Sequence, residues 1–154
     1  MIQIRKYKNS DANDLWEIHY NTIRNVNIQD YSQAQVEAWA PDSFDPGVWK
    51  QKMNSISPFV AEIDGEIVGY TDLQENGLID HFFCHHRYQG KGVGRSLMEY
   101  VLKVGKSREI ERFYSEVSIT ARPFYERLGF QVSEEQIVEI RGEKLRYFVM
   151  EKFS

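Results

Sequence analysis

The stretch that most limits the folds open to this chain is Arg87-Tyr88-Gln89-Gly90-Lys91-Gly92-Val93-Gly94-Arg95-Ser96-Leu97-Met98-Glu99-Tyr100, a glycine-rich loop running straight into a helical pattern. Val93, Leu97, Tyr100, Val101 and Val104 recur at helical spacing, which predicts a helix over 93–107 with one face packed on a sheet. Apolar residues precede the loop, so the local order is strand, loop, helix. Gly90, Gly92 and Gly94 carry no side chains to screen the backbone, and N–H groups there can face outward. The first turn of a helix leaves its N–H donors unpartnered and carries about half a positive charge. Together these make a seat for phosphate.

Two well-defined phosphate loops do not fit. A Walker A loop places a glycine five residues before the glycine of its Gly-Lys pair and Ser or Thr after the lysine. Here those positions hold His85 and Gly92. A dinucleotide-binding turn needs a third glycine three residues after its second. Counted from Gly90 that place is Arg95, and from Gly92 it is Leu97. What remains is Gln89-Gly90-Lys91-Gly92-Val93-Gly94, which taken alone could serve merely to cap a helix, so the rest of the chain has to decide.

The 154 residues are enough for one domain, residues 1–154, with a core that needs no staples. Hydrophobic residues at 42% and charged residues at 27% give the balance of a soluble globular chain. A formal net charge of −4 argues against a nucleic-acid surface, which needs a basic excess, and suits a cationic small substrate. One cysteine excludes an internal disulfide and fits a reducing, cytoplasmic setting. Residues 1–7 show no apolar targeting core, and no apolar run approaches the ~20 residues that span a bilayer. Neither nucleic acid nor membrane is an expected partner.

Ile2 and Ile4 predict a first strand, and Asn9-Ser10-Asp11 offers helix caps. Leu15, Ile18, His19, Thr22, Ile23 and Val26 then recur as a first helix, with Trp16 and Tyr20 covering its core edge. Ser32 and Gln35 form a capping box, and Pro41 ends a short second helix. Residues 42–46 read as a loop and 48–53 as a helical turn. The rings of Trp39, Phe44 and Trp49 either wall an acceptor pocket or simply cover the sheet. Residues 59–63 and 66–71 form a hairpin on Asp64-Gly65, and Asn76-Gly77 reads as a second such turn leading to a strand over 78–84. A strand over 113–117, a helix over 121–128 stopped by Gly129, and a hairpin of 131–141 with 144–152 complete the chain. The helix between strands 78–84 and 113–117 is a crossover, which makes them parallel neighbours. The expected class is α/β, a mixed, mostly antiparallel six- to seven-stranded sheet with helices on both faces.

The run Ser115-Glu116-Val117-Ser118-Ile119-Thr120-Ala121-Arg122-Pro123-Phe124-Tyr125-Glu126-Arg127-Leu128-Gly129-Phe130 breaks the tie. With the glycine loop it resembles the two signatures of the GNAT family of N-acetyltransferases. The likeness covers 59–152 well and the N-terminal third in its order of elements; residues 31–41 are similar to a bacterial branch of small GNAT proteins. The resemblance implies the GNAT fold, with splayed parallel strands at its centre, and acetyl-CoA as cosubstrate. It implies coenzyme contacts from Gln89, Gly90, Lys91, Gly92, Val93, Gly94, Arg95 and Ser96, from Phe82, Phe83 and Cys84, and from Ser118. Ser118 stands where the family often has Asn, and His86 where it often has Pro; these departures touch coenzyme contacts and remove no reactive group.

The implied reaction is attack of a small-molecule or peptide amine on the acetyl thioester. An alkylammonium has a pKa near ~10.4, so its proton must first be removed. The oxyanion needs a donor, expected from the backbone of 82–84. The resemblance places Tyr125 beside the coenzyme sulfur as the acid that protonates the thiolate. Asp80 is the first candidate base and His81 the second, on opposite strand faces, with His19, Glu62 and water behind them. Cys84-His85-His86 lacks zinc spacing, so no metal is expected. Two rival readings stay open: a non-catalytic acyl-CoA-binding or regulatory module, and an interaction domain or homodimer joined through the C-terminal hairpin edge, with Tyr147, Val149 and Phe153 as its apolar side.

Overall fold

In a computed structural model, which describes residues 1–154, the strands fall into two antiparallel sheets rather than the single sheet expected. One holds β1 (Ile2–Lys6), β2 (Phe59–Ile63), β3 (Glu66–Thr71) and β4 (Phe82–Cys84) in that spatial order. The other holds β5 (Arg112–Ser118), β6 (Gln131–Ile140) and β7 (Glu143–Phe153), with β7 in the middle. The helices are α1 (Ala12–Asn25), α2 (Gln33–Trp39), α3 (Pro46–Ile56), α4 (Val93–Ser107) and α5 (Arg122–Arg127). The mixed α/β class is as expected, and helices cover both faces of the first sheet. Val60 and Tyr70 cluster with α1 and α3, while Ala61 and Val68 cluster with Val93 and Leu97 of α4. Covered on both sides, β2 can carry the unbroken buried run Phe59, Val60 and Ala61. The second sheet packs Val117, Phe148 and Met150 with Tyr125 and Phe130, and α2 lies over Leu145 of β7.

The expected strand over 78–84 is broken in two. Leu78 makes a parallel bridge to Tyr114; the Ile79 N–H donates to the Tyr114 carbonyl at 2.9 Å, and the Tyr114 N–H donates to the Gly77 carbonyl at 3.1 Å. The Asp72 carboxylate then accepts the N–H groups of Asp80 (3.0 Å) and His81 (2.6 Å), which removes both from any ladder. Only 82–84 resumes as β4, paired with β3. The ladder expected between parallel neighbours therefore reduces to one bridge.

Local signals fared unevenly. Asp64 and Gly65 have φ of 51° and 83°, as the tight turn requires. At the second turn only Gly77 is positive, at 92°, and a Cβ there would stand 1.9 Å from the Arg112 carbonyl oxygen. That turn is pressed against β5. The Ser32–Gln35 box forms, with bonds of 3.1 and 2.7 Å. Helix α3 begins at Pro46, earlier than expected, because Asp45 accepts the N–H groups of Gly47 and Val48. Asp11 is no side-chain cap for α1; it pairs with Arg5 at 2.8 Å. In the C-terminal hairpin the open edge is β6, while Tyr147 of β7 turns inward beside Trp39. No helix is long and apolar enough to cross a membrane.

Candidate active site

A cavity of about 750 Å³ fills the space where β4 and β5 part. Ladder geometry decides what faces it. The His85 N–H donates to the Val68 carbonyl at 2.8 Å, which makes 85/68 and 83/70 the hydrogen-bonded pairs of the β3–β4 register. The N–H groups of Phe82 and Cys84 therefore point away from β3, toward β5. Across the gap Tyr114 spends its N–H and carbonyl on residues 77 and 79, so alternation turns the backbone of Glu116 toward the same space.

The glycine loop stands at one end. Gly90 and Gly92 have φ of 72° and 86°, and Gly92 begins α4 with no side chain bonded to the helix's first N–H groups. Those donors stay free. Gln89, Gly90, Gly92, Val93, Gly94 and Arg95 line the cavity. Lys91, whose Nζ lies 5.7 Å from the centre of the Tyr88 ring, and Ser96 fall outside that lining. The Gln89 amide donates to the Cys84 carbonyl at 2.9 Å, and Thr22 Oγ1 donates to it at 2.7 Å, which ties loop and α1 to the end of β4.

Tyr125 is 3% exposed, lies edge-on to Phe82 and Phe130, and lines the cavity. Its hydroxyl donates to Ser115 Oγ at 3.4 Å, which donates to the Ile79 carbonyl at 2.7 Å. Burial raises the phenol above its ordinary range, and burial pushes the Cys84 thiol up to about 12. Phe82, Phe83, Cys84 and Ser118 also line the space. Ser118 Oγ accepts the Ala121 N–H at 3.1 Å and the Asn27 amide at 3.3 Å, so it shapes the entry to α5.

Asp80 and His81, expected on opposite strand faces, both line the cavity and both meet α3, Asp80 at Lys52 and His81 at Trp49. Asp80 is ion-paired to Lys52 Nζ at 2.7 Å. His81 points inward, with Nδ1 3.0 Å from the Tyr70 hydroxyl and its ring 5.6 Å from that of His19. Burial lowers His81 to about 4, with Asp80 opposing the shift and Lys52 adding to it. His19 is also held neutral by burial, with smaller contributions from His81 and Arg141, and its Nδ1 has no partner. Glu62 pairs with Arg5 at 3.0 Å and does not line the cavity. The Cys84-His85-His86 run builds no three-ligand cluster; His85 Nδ1 accepts the Arg87 N–H.

The family model for an acetyltransferase (GNAT) domain matches residues 27–152. The chain belongs to the GNAT family of N-acetyltransferases. It is 34% identical over 149 residues to the uncharacterised N-acetyltransferase YafP of Escherichia coli K12, covering 97% of this chain and 94% of YafP. Among solved structures, a GCN5-related N-acetyltransferase from Rhodopseudomonas palustris superposes with a TM-score of 0.94 at 27% identity, over 99% of this chain and 95% of that one. The PaiA N-acetyltransferase of Thermoplasma acidophilum, solved with coenzyme A, gives 0.76 at 20% identity over 100% and 99%, a likeness of fold. This GNAT protein is an acetyl-CoA-dependent N-acetyltransferase.

Asp72, which supports the cavity without lining it, and the inward turn of Tyr147 escaped sequence reasoning. Asp72 is fully buried, and burial raises its carboxyl to about 6. A carboxylate directly after the apolar strand end Tyr70-Thr71 was the available signal. Trp39 and Tyr147 line the cavity together, their rings 5.6 Å apart. The sequence offers Trp39 as one of several aromatic candidates for a pocket wall and Tyr147 as part of an outer edge. Nothing local marks two rings from distant segments as partners.

Proposed function

We propose that residues 1–154 act as one N-acetyltransferase domain in which the amine attacks the thioester directly, within the wedge between β4 and β5. The coenzyme pyrophosphate rests on the free N–H groups at the start of α4, and its thioester arm pairs with β4 as an added strand. The Phe82 or Cys84 N–H stabilises the oxyanion. The amine nitrogen bonds to the carbonyl carbon, the C–S bond breaks, the thiolate takes the Tyr125 hydroxyl proton, and the phenolate regains one from the nitrogen as it becomes the amide N–H. One observation carries this reading: unpartnered strand amides, unpartnered loop amides and the Tyr125 hydroxyl all open on one cavity.

The raised phenol is no obstacle to that role. The coenzyme thiolate would sit near Cys84, whose thiol is itself pushed up to about 12, so burial makes acid and leaving group rise together. Tyr125→Phe should leave coenzyme A affinity unchanged by calorimetry and lower kcat about 100-fold in a free-thiol assay. Undiminished turnover would refute the assignment.

In the same reading His81 is a donor rather than the base. The buried Tyr70 phenol and His81 Nδ1 are hydrogen-bonded at 3.0 Å; with the phenol as donor, the imidazole proton lies on the far nitrogen. The amine proton then leaves through water toward Asp80 at the mouth. A reducing cytoplasm suits the free Cys84 thiol. The open β6 edge, with Val132 and Ile137 exposed, offers a second copy a strand to pair with, which sedimentation at two concentrations checks.

A further inference from the structure

The cavity wall formed by α1, α2, Phe83 and Tyr147 is aromatic. Trp39, at the end of α2, meets Phe83 at 6.4 Å and Tyr147 at 5.6 Å between ring centres, and all three line the space. Two carboxylates reach the lining: Asp80 is ion-paired with Lys52 at 2.7 Å, while Glu116, exposed, accepts from the neutral Gln136 amide and keeps its charge. The other polar side chains there are neutral. Thr22 and Asn27 are bonded within the protein, while His19, 7% exposed, keeps its Nδ1 unpartnered. The full charge felt by His19 is that of Arg141, of the same sign as an ammonium.

The Glu116 charge is exposed and screened by solvent, so a second ammonium that loses its water among the rings recovers little from it, a steep cost for a buried charge. A flat apolar arm finds rings to stack on. We infer that the acceptor is an arylalkyl primary amine, with its ring against Trp39 and its nitrogen beside His19 and His81, and that Trp39 determines this preference. The inference rests on the acetyltransfer reading above. The ammonium gives one proton to water, its lone pair forms the N–C bond, and the C–S bond breaks. The products are an arylalkyl acetamide, coenzyme A thiol and that one proton.

The test follows thiol release from acetyl-CoA with phenethylamine, hexylamine and spermidine. Phenethylamine should exceed spermidine in kcat/KM by about tenfold or more. Trp39→Ala should raise the phenethylamine KM about tenfold with kcat nearly unchanged, and Trp39→Phe should restore most of it. Calorimetry with coenzyme A confirms that each variant is folded. Val26→Asp, which plants a carboxylate in the same lining, should improve spermidine relative to phenethylamine. Spermidine preferred by the unaltered protein, or a phenethylamine KM indifferent to Trp39→Ala, overturns the inference and leaves acetyltransfer standing. Coenzyme A binding with no thiol release for any amine overturns acetyltransfer, and the inference with it.

Discussion

Asp72 shows how one side chain can shape a site it never enters. Its carboxylate takes the amides of residues 80 and 81, which ends the strand there and sends His81 inward. Full burial makes that charge costly, and the carboxyl rises to about 6 from 3.8. Between those values the folded chain holds a proton that the unfolded chain has released. Stability therefore declines as pH rises from about 4 to about 6, by up to about 3 kcal/mol from this group. Asp72→Asn keeps an oxygen for both amides and has no charge to bury. Urea unfolding from pH 4 to 8 should show the variant more stable than the parent above pH 6, with the decline between pH 4 and 6 removed. An equal slope in both proteins would place the titration elsewhere.

Among elements, β4 carries the chemistry because it is short and paired on one side only. Its register leaves Phe83 bonded to Tyr70 while Phe82 and Cys84 face the gap. Hydrogen exchange should therefore find the Phe83 amide protected in the free protein and the Cys84 amide unprotected. Saturating acetyl-CoA should slow the Cys84 amide at least about tenfold if the thioester arm pairs with β4. A Cys84 amide unchanged by the coenzyme would remove the added-strand geometry. The glycine loop, α4, the Ser32 cap and the Asp64-Gly65 turn were legible in the sequence, because each is set by residues within a few positions of one another. The break at Asp80 was not, since it depends on a carboxylate eight positions upstream that reads as an ordinary polar residue after a strand. The division into two sheets was hidden for the same reason. Crossover logic makes β4 and β5 neighbours, and only the Asp72 bonds, with the Gly77 turn pressed on Arg112, show how little ladder they share.

For the whole molecule, two sheets joined by one parallel bridge form a hinge-shaped scaffold with its cavity in the opening. The loop lies on one side of that opening, and α5 with Tyr125 on the other. A ligand that spans it adds contacts to both halves at once. Coenzyme A at 100 times its Kd stabilises the folded state by about 2.7 kcal/mol if it binds only that state. For a chain of this size the expected rise in Tm is about 5–10 °C. Pantetheine lacks the pyrophosphate and reaches only the gap, whereas adenosine diphosphate reaches only the loop. At equal concentration each should shift Tm less than coenzyme A does. A shift from adenosine diphosphate equal to that of the whole coenzyme would mean the gap between the sheets contributes nothing to binding, and the thioester would then have to be placed elsewhere.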